Sequence, residues 1–401
     1  MSTQRNPAPL NPKIAATFSP PVMAARRWLQ GVEFPPERPL INVSQAAPVA
    51  PPPEALRQAI AEAALHDDDA HLYGPVLGLP ALREAVAANW SRAYGGTIHP
   101  DQVAITSGCN QAFCAAIATL AEAGDSVMIP SPWYFNHKMW LDMTGVETRV
   151  LPCEGDMLPD PERAAALLDS RVRAILLVTP NNPTGAEYPA NLVRAFYDLA
   201  KSRGIALVLD ETYRDFDSRT GAPHDLFQDP DWARTVIHLY SFSKAYRLTG
   251  HRVGALIGAR KRLNEVEKFL DTVTICPNQL GQRAALFGLQ TLGPWLAGER
   301  AEILARKATI RRGMPALEGW QLLGAGAYFA YLQHPFKVSS DNLARNLVKQ
   351  AGILLLPGTM FAPTLDAGGT GDAEKQLRIA FANADSAGLE QMFARLAAFS
   401  G

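Results

Sequence analysis

Hydrophobic and polar positions alternate between two kinds of pattern along this chain. Short, continuous apolar runs appear at "QVAIT", "SVMIP", "AILLVTP", "GIALVLD", "TVIHLYS" and "VGALIGA". Between them lie stretches with helical spacing of apolar residues, at 53–65, 78–94 ("GLPALREAVAANWSRAY") and 109–122. Runs without a polar alternate belong to strands covered on both faces, and helices between them supply the cover. The pattern therefore predicts an α/β fold, with a large domain built on a mostly parallel mixed sheet flanked by helices. A short helical pattern at 21–30 precedes this body, and the proline cluster at 48–53 reads as a joint. After about residue 290 the character changes. A long polar helix pattern, "PWLAGERAEILARKATIRRGMPAL", leads to shorter strands at "AYFAYLQH", "GILLLPG" and "QLRIAFA" with flanking helices. We expect a large domain at 49–287. A smaller α+β domain would combine an N-terminal arm, 1–48, with 288–401.

Composition changes this picture little. The 401 residues are 47% hydrophobic and 19% charged with a net charge of −1, so neither nucleic acid nor an anionic membrane is expected as a partner. Four cysteines (Cys109, Cys114, Cys153, Cys276) show no CxxC spacing and read as reduced thiols. The first forty residues hold no apolar run suited to a signal peptide, and no stretch approaches the roughly 20 apolar residues of a membrane span. A cytoplasmic protein is expected.

Polar residues punctuate the strand ends. "AILLVTPNNPTG" closes on Asn182, "GIALVLDETY" on Asp210 with Tyr213 three residues later, and "TVIHLYSFSK" on Ser241, Ser243 and Lys244. "QVAITSGCNQAFCAAI" is a strand, a turn through Gly108, Cys109 and Asn110, and a helix start that would favour an anion. Ligands of open α/β sheets gather at this end. An amine, a carboxylate, phenol and amide donors and an anion nest suit one ligand. It is a phosphorylated aldehyde with a ring nitrogen and a phenolic oxygen, pyridoxal 5′-phosphate. Neither a Walker motif nor a G-x-G-x-x-G fingerprint is present, and "GGTGD" at 368–372 lacks a preceding strand. "HDDDAH" at 66–71 lacks ligand spacing and reads as a solvated loop, and no G-x-S-x-G elbow supports a hydrolase.

Taken in order, "TPNNPTG", "DETY", "SFSKAYRLTGHRVG", "LLLPGTMF" and "RIAFAN" resemble the fold-type I pyridoxal-phosphate enzymes of the class I/II aminotransferase family, from about residue 30 to 390. The resemblance implies that Lys244 is the Schiff-base lysine, that Asp210 pairs with the pyridine nitrogen, and that Asn182 and Tyr213 donate to the phenolic oxygen. Ser241, Arg252 and the Gly108–Asn110 turn would hold the phosphate. Tyr134 falls where the family stacks an aromatic ring, although Trp133 beside it leaves the register open. Tyr73 resembles the tyrosine that reaches the neighbouring subunit's cofactor, which implies a homodimer with shared sites. Arg378 resembles the clamp on the substrate α-carboxylate, with Asn182 and Ala46 beside it. Ala46 stands where many relatives have glycine, Cys109 where a smaller or hydroxyl residue is more common, and His251 is variable. The reaction implied is ping-pong transfer of an amino group between an L-amino acid and a 2-oxo acid. Carbon–sulfur β-lyases share the motifs, and a degenerate cofactor-binding regulator is the alternative of another class. No residue stands out in the sequence as the binder of a substrate side-chain carboxylate; Tyr328 and the arm at 15–48 are candidates to shape the pocket.

Overall fold

A computed structural model describes residues 8–400; residues 1–7 of the expected arm, and residue 401, lie outside the described residues. Thirteen strands occur among the described residues: β1 (Ile41–Asn42), β2 (Val103–Thr106), β3 (Ser126–Ser131), β4 (Glu147–Pro152), β5 (Val172–Val178), β6 (Ala206–Asp210), β7 (Val236–Ser241), β8 (Gly254–Ile257), β9 (Gln321–Gly326), β10 (Phe329–Gln333), β11 (Ile353–Leu354), β12 (Leu356–Pro357) and β13 (Gln376–Ala380).

The large sheet has the order β2-β8-β7-β6-β5-β3-β4. β8 pairs antiparallel with both β2 and β7, while the other neighbours pair in parallel. Side chains alternate between two covered faces. Ile175, Leu177, Leu207 and Leu209 join one core with Trp90, Phe196 and Tyr197. Leu176, Val208 and Leu239 join another with Phe113, Val266 and Leu270. The covering helices carry matching stripes. Ala190–Arg203 buries Val193, Phe196, Tyr197 and Ala200, and Arg260–Thr274 buries Leu263, Val266 and Leu270, with Arg260, Lys261, Glu265, Glu267 and Lys268 turned outward. Every apolar strand run is thus used on both sides, which explains why those runs lack polar alternates.

The smaller antiparallel sheet has the order β12-β13-β10-β9. "GILLLPG" is not one strand. It divides at Leu355, so that β11 pairs in parallel with β1 of the arm while β12 pairs with β13. The arm is stitched to the C-terminal third on both sides of that pair, since Val43 N–H donates to Leu354 O and Ala380 N–H to Val43 O, each at 2.8 Å. The helix expected over 109–122 ends at Ala118, and the helix Gln279–Thr291 runs across the boundary expected at 287.

His334, directly after β10, is 2% exposed and sits between the rings of Trp320 and Phe336. Burial, helped by the Lys375 ammonium, pulls its imidazole down to about 4. The unfolded chain, with a histidine near its ordinary value of about 6.5, then binds the proton first. Stability is complete above pH 6.5 and falls as the pH drops toward 4, by on the order of 2 kcal/mol from this group. A His334→Asn variant should lose that slice of pH dependence in urea unfolding at pH 7 and pH 4.5. An unchanged difference between the two pH values would contradict it.

Candidate active site

Beyond the ends of β5, β6 and β7 opens a cleft of about 340 Å³, closed on the other side by the arm and by β13. Asp210, the last residue of β6, is 4% exposed. Burial alone would raise its carboxyl, but His137, with Nε2 at 3.3 Å from Oδ2, the Thr212 hydroxyl and the Thr212 N–H at 3.0 Å together hold it below the ordinary range. It is therefore a buried, ionised acid facing the cleft.

Lys244 follows β7 on the one-turn helix Phe242–Ala245, whose N-cap Ser241 accepts from the Ser243 N–H. Its Nζ donates to Ala46 O at 2.6 Å and stands 5.9 Å from the centre of the Tyr213 ring. Burial, then the Arg252 and Arg378 guanidiniums, bring the amine down to about 8. No carboxylate lies within ion-pair distance of it among the described residues, so no ion pair offsets this.

Arg252 occupies a left-handed backbone position (φ 52) and donates to Ser243 Oγ and Thr249 O. Gly108, with φ of 87, lies directly beneath it: a Cβ there would fall 2.2 Å from Arg252 Nη2. Gly254 is tight for a related reason, its notional Cβ falling 2.7 Å from Cys109 N. The start of the helix Cys109–Ala118, the two serine hydroxyls and the guanidinium therefore converge without intervening side chains, and this is the chemistry of an anion cradle.

Arg378, in β13, is 2% exposed and lies against the rings of Phe329 and Phe361. It donates from Nη1 to Asn182 Oδ1 at 3.0 Å and from Nη2 to Ser44 O, while its Nε has no partner. Burial lowers it to about 10. Tyr134 takes an N–H from Asn136 and approaches Asn110, and burial pushes its phenol up to about 12. Tyr213, also raised by burial, packs edge-on against Phe329.

Every residue given a cofactor or substrate role from the sequence lines this cleft except Gly108, which lies under Arg252, and Tyr73, which is 81% exposed elsewhere on the chain. Tyr134 lines this cleft, whereas Trp133 lines a different cavity. Tyr328 does not line the cleft; its hydroxyl reaches Lys244 O from behind, at 3.4 Å. Asp67 of "HDDDAH" pairs with Arg283. The sequence reading named Ser243 at the end of its strand without giving it a role, and it missed His137, Thr212 and the arm residues Arg26 and Gln45. The spacing of His137 from Tyr134, three residues on at the start of one helix, was the available signal.

Among curated proteins, the valine–pyruvate aminotransferase of Mycobacterium tuberculosis is 32% identical over 359 residues, 84% of this chain and 89% of that protein. The aspartate/prephenate aminotransferase of Thermus thermophilus is 30% identical over 321 residues, 77% of this chain and 79% of that protein. Among solved structures, Thermus thermophilus aspartate aminotransferase with maleate superposes with a TM-score of 0.86 over 98% of this chain and 99% of that one, and its 23% identity speaks to the fold alone. With residues 38–396 matching the family described as aminotransferase class I and II, the chain belongs to that family and is a pyridoxal 5′-phosphate-dependent aminotransferase.

Proposed function

We propose that Lys244 is the covalent anchor of the cofactor and the proton carrier of the reaction, and that Arg378 takes the substrate α-carboxylate. The observation that carries this is a buried amine without an acidic partner among the described residues, its basicity lowered to about 8 by burial and two guanidiniums, in the same cleft as a buried ionised acid. The donor set fits the cofactor. The Gly108–Asn110 turn, Ser241, Ser243 and Arg252 suit a phosphate, Asp210 suits a ring N–H⁺, and Tyr213 and Asn182 suit a phenolic oxygen. Bound there, pyridoxal phosphate supplies a carbonyl for the amino group and a protonated ring that accepts the electrons left on the substrate Cα.

The chain's own residues do the rest. Arg378 presents a planar fork to the α-carboxylate every amino acid and 2-oxo acid carries, exchanging Ser44 O for it. Lys244 Nζ, free of the cofactor once substrate has docked, takes the proton from Cα and returns it beyond the transferred nitrogen. An amine near 8 is suited to both directions at neutral pH. Asp210, kept ionised by His137 and Thr212, holds the ring proton in place. We also infer a homodimer in which the exposed Tyr73 reaches the neighbouring cleft, a reducing cytoplasmic setting for the four free thiols, and a cofactor-holding unit at 49–287 against which 1–48 and 288–401 carry the substrate clamp.

The test is a half-reaction with single amino acids. Each accepted donor should convert the cofactor's carbonyl absorbance to that of its amine form and release one equivalent of 2-oxo acid. Release of a β-substituent without that conversion would favour elimination instead. Arg378→Lys should keep the charge but lose the fork, lowering kcat/KM by about 10²-fold, mostly through KM, as read in steady-state assays. A loss under about threefold would remove Arg378 from the α-carboxylate.

A further inference from the structure

Four cations line the cleft: Arg26, Lys244, Arg252 and Arg378. On the reading above, which this inference rests on, Arg252 is committed to phosphate, Lys244 to the cofactor carbonyl and Arg378 to the α-carboxylate. Arg26 is left over. It ends the arm helix Pro21–Arg26 and is exposed at the cleft mouth. Its Nη2 donates to a neutral acceptor, Gln45 Oε1, at 2.6 Å, and no carboxylate lies within ion-pair distance of it among the described residues.

Its placement is more specific than its charge. Three consecutive residues of the segment after β1 each accept from one of these cations. Arg378 donates to Ser44 O, Arg26 to the Gln45 side chain, and Lys244 to Ala46 O. The cation that meets the α-carboxylate, the amine at the reacting carbon and Arg26 are thus ranged along one short strip of backbone. Each holds a neutral oxygen that an incoming group can replace. Val22 and Met23 of the same arm helix supply apolar wall beside Arg26, suited to the methylenes between two charged ends. Asp210 is the one acid lining the cleft among the described residues, and His137 and Thr212 already occupy it.

We infer that Arg26 is a specificity-determining residue that receives the side-chain carboxylate of a dicarboxylic amino acid or 2-oxo acid, giving up Gln45 to do so. Exchange of a neutral amide oxygen for a carboxylate converts an ordinary hydrogen bond to a charge-assisted, bidentate one. A substrate with a neutral or apolar side chain offers no such exchange and leaves the Arg26–Gln45 contact intact.

The experiment compares holoenzyme and the variants Arg26→Gln and Arg26→Lys in half-reactions with glutamate, aspartate, glutamine, methionine and alanine. Calorimetric titration with the unreactive pair succinate and butyrate gives a readout independent of turnover. The wild type should favour glutamate over glutamine at least 10-fold and bind succinate more tightly than butyrate. Arg26→Gln should cut kcat/KM for the dicarboxylic substrates about 10- to 100-fold, leave methionine within about threefold, and abolish the succinate preference. Arg26→Lys should restore part of it. Equal losses on all substrates would make Arg26 a structural part of the arm and overturn the inference, as would no loss on any. If methionine or alanine converts the wild-type cofactor and the acids do not, the inference fails while the transamination reading stands. If no amino acid converts it, both fall.

Discussion

Lys244→Ala is expected to reduce turnover by about 10⁴-fold or more and to leave no covalent adduct at residue 244 after borohydride treatment of enzyme supplied with pyridoxal phosphate. Mass spectrometry of the tryptic peptide carrying "SFSKAYR" reads the adduct, and steady-state assay reads the turnover. The size of the effect follows from the surroundings. The Lys244 amine has lost its ordinary protonation preference through burial and two neighbouring guanidiniums, so about half of it is neutral near pH 8, and only the neutral amine attacks a carbonyl. No second lysine lines the cleft among the described residues, and His137 is engaged beside Asp210. The fold should survive, because the Lys244 side chain makes one hydrogen bond, to Ala46 O, and its helix is capped by Ser241 without it. Lys244→Arg separates charge from nucleophilicity. A guanidinium cannot lose its proton at working pH, so this variant should be as inactive as the alanine one. Retained adduct or retained turnover in either variant would assign the anchor elsewhere.

What the sequence disclosed of this site, and what it hid, divides along one physical line. β5, β6 and β7 are covered on both faces, so their apolar runs are continuous, and the first polar residue after each run marks the strand end where a ligand can sit. Asp210, Ser241 and Lys244 are legible for that reason. β4 is one of the sheet's two outer strands; unlike the buried β2 at the other edge, its "ETRVLP" is mostly half-exposed and mixes charge with apolar residues, so no run marks it. β1 spans two residues and exists because the chain near residue 353 comes to meet it. The rest of the site is non-local in the same way. Lys244 and Ala46 are 198 residues apart and Arg378 and Ser44 are 334 apart, and no local pattern records either contact. His137 reads as one more polar residue at the start of a helix until the fold sets it beside Asp210. Arg26 reads as half of an ordinary "ARR" on a short helix, and its lack of an acidic partner is visible only once its neighbours are known.

Glu211→Ala is expected to cost about 3–5 kcal/mol of folding stability. Glu211 follows Asp210 directly and points the other way, into the core, where it is 1% exposed. Its Oε2 accepts from the Tyr94 hydroxyl and lies 2.8 Å from His238 Nε2 and 3.6 Å from His224 Nε2, both rings fully buried. Burial by itself would raise the carboxyl, but His224 and His238 together hold it far below the ordinary range, so it is ionised at every working pH. Beside it the Arg214 guanidinium lies 3.7 Å over the Trp90 ring. Alanine would remove the one acid that Tyr94, His224 and His238 share, leaving buried polar groups without an acceptor and a small cavity at their centre. Glu211→Gln keeps an oxygen for two of the donors and should cost about 1–2 kcal/mol. The acid limb separates charge from packing. A carboxylate with a depressed value contributes stability that is present above about pH 4.5 and is lost as pH falls through its folded value, so both variants should show a flatter decline below pH 4.5 than the wild type. Glu211 N–H is bonded to Leu239 O and its carbonyl accepts from Arg214 N–H, so main-chain bonds that either substitution leaves in place hold the turn that carries Asp210 and Tyr213. Folded molecules of both variants should therefore retain cofactor binding, and the Ala variant should lose cofactor only to the extent that its instability unfolds it. An alanine variant within about 1 kcal/mol of wild type in urea unfolding would mean that water, rather than Glu211, satisfies Tyr94 and His238.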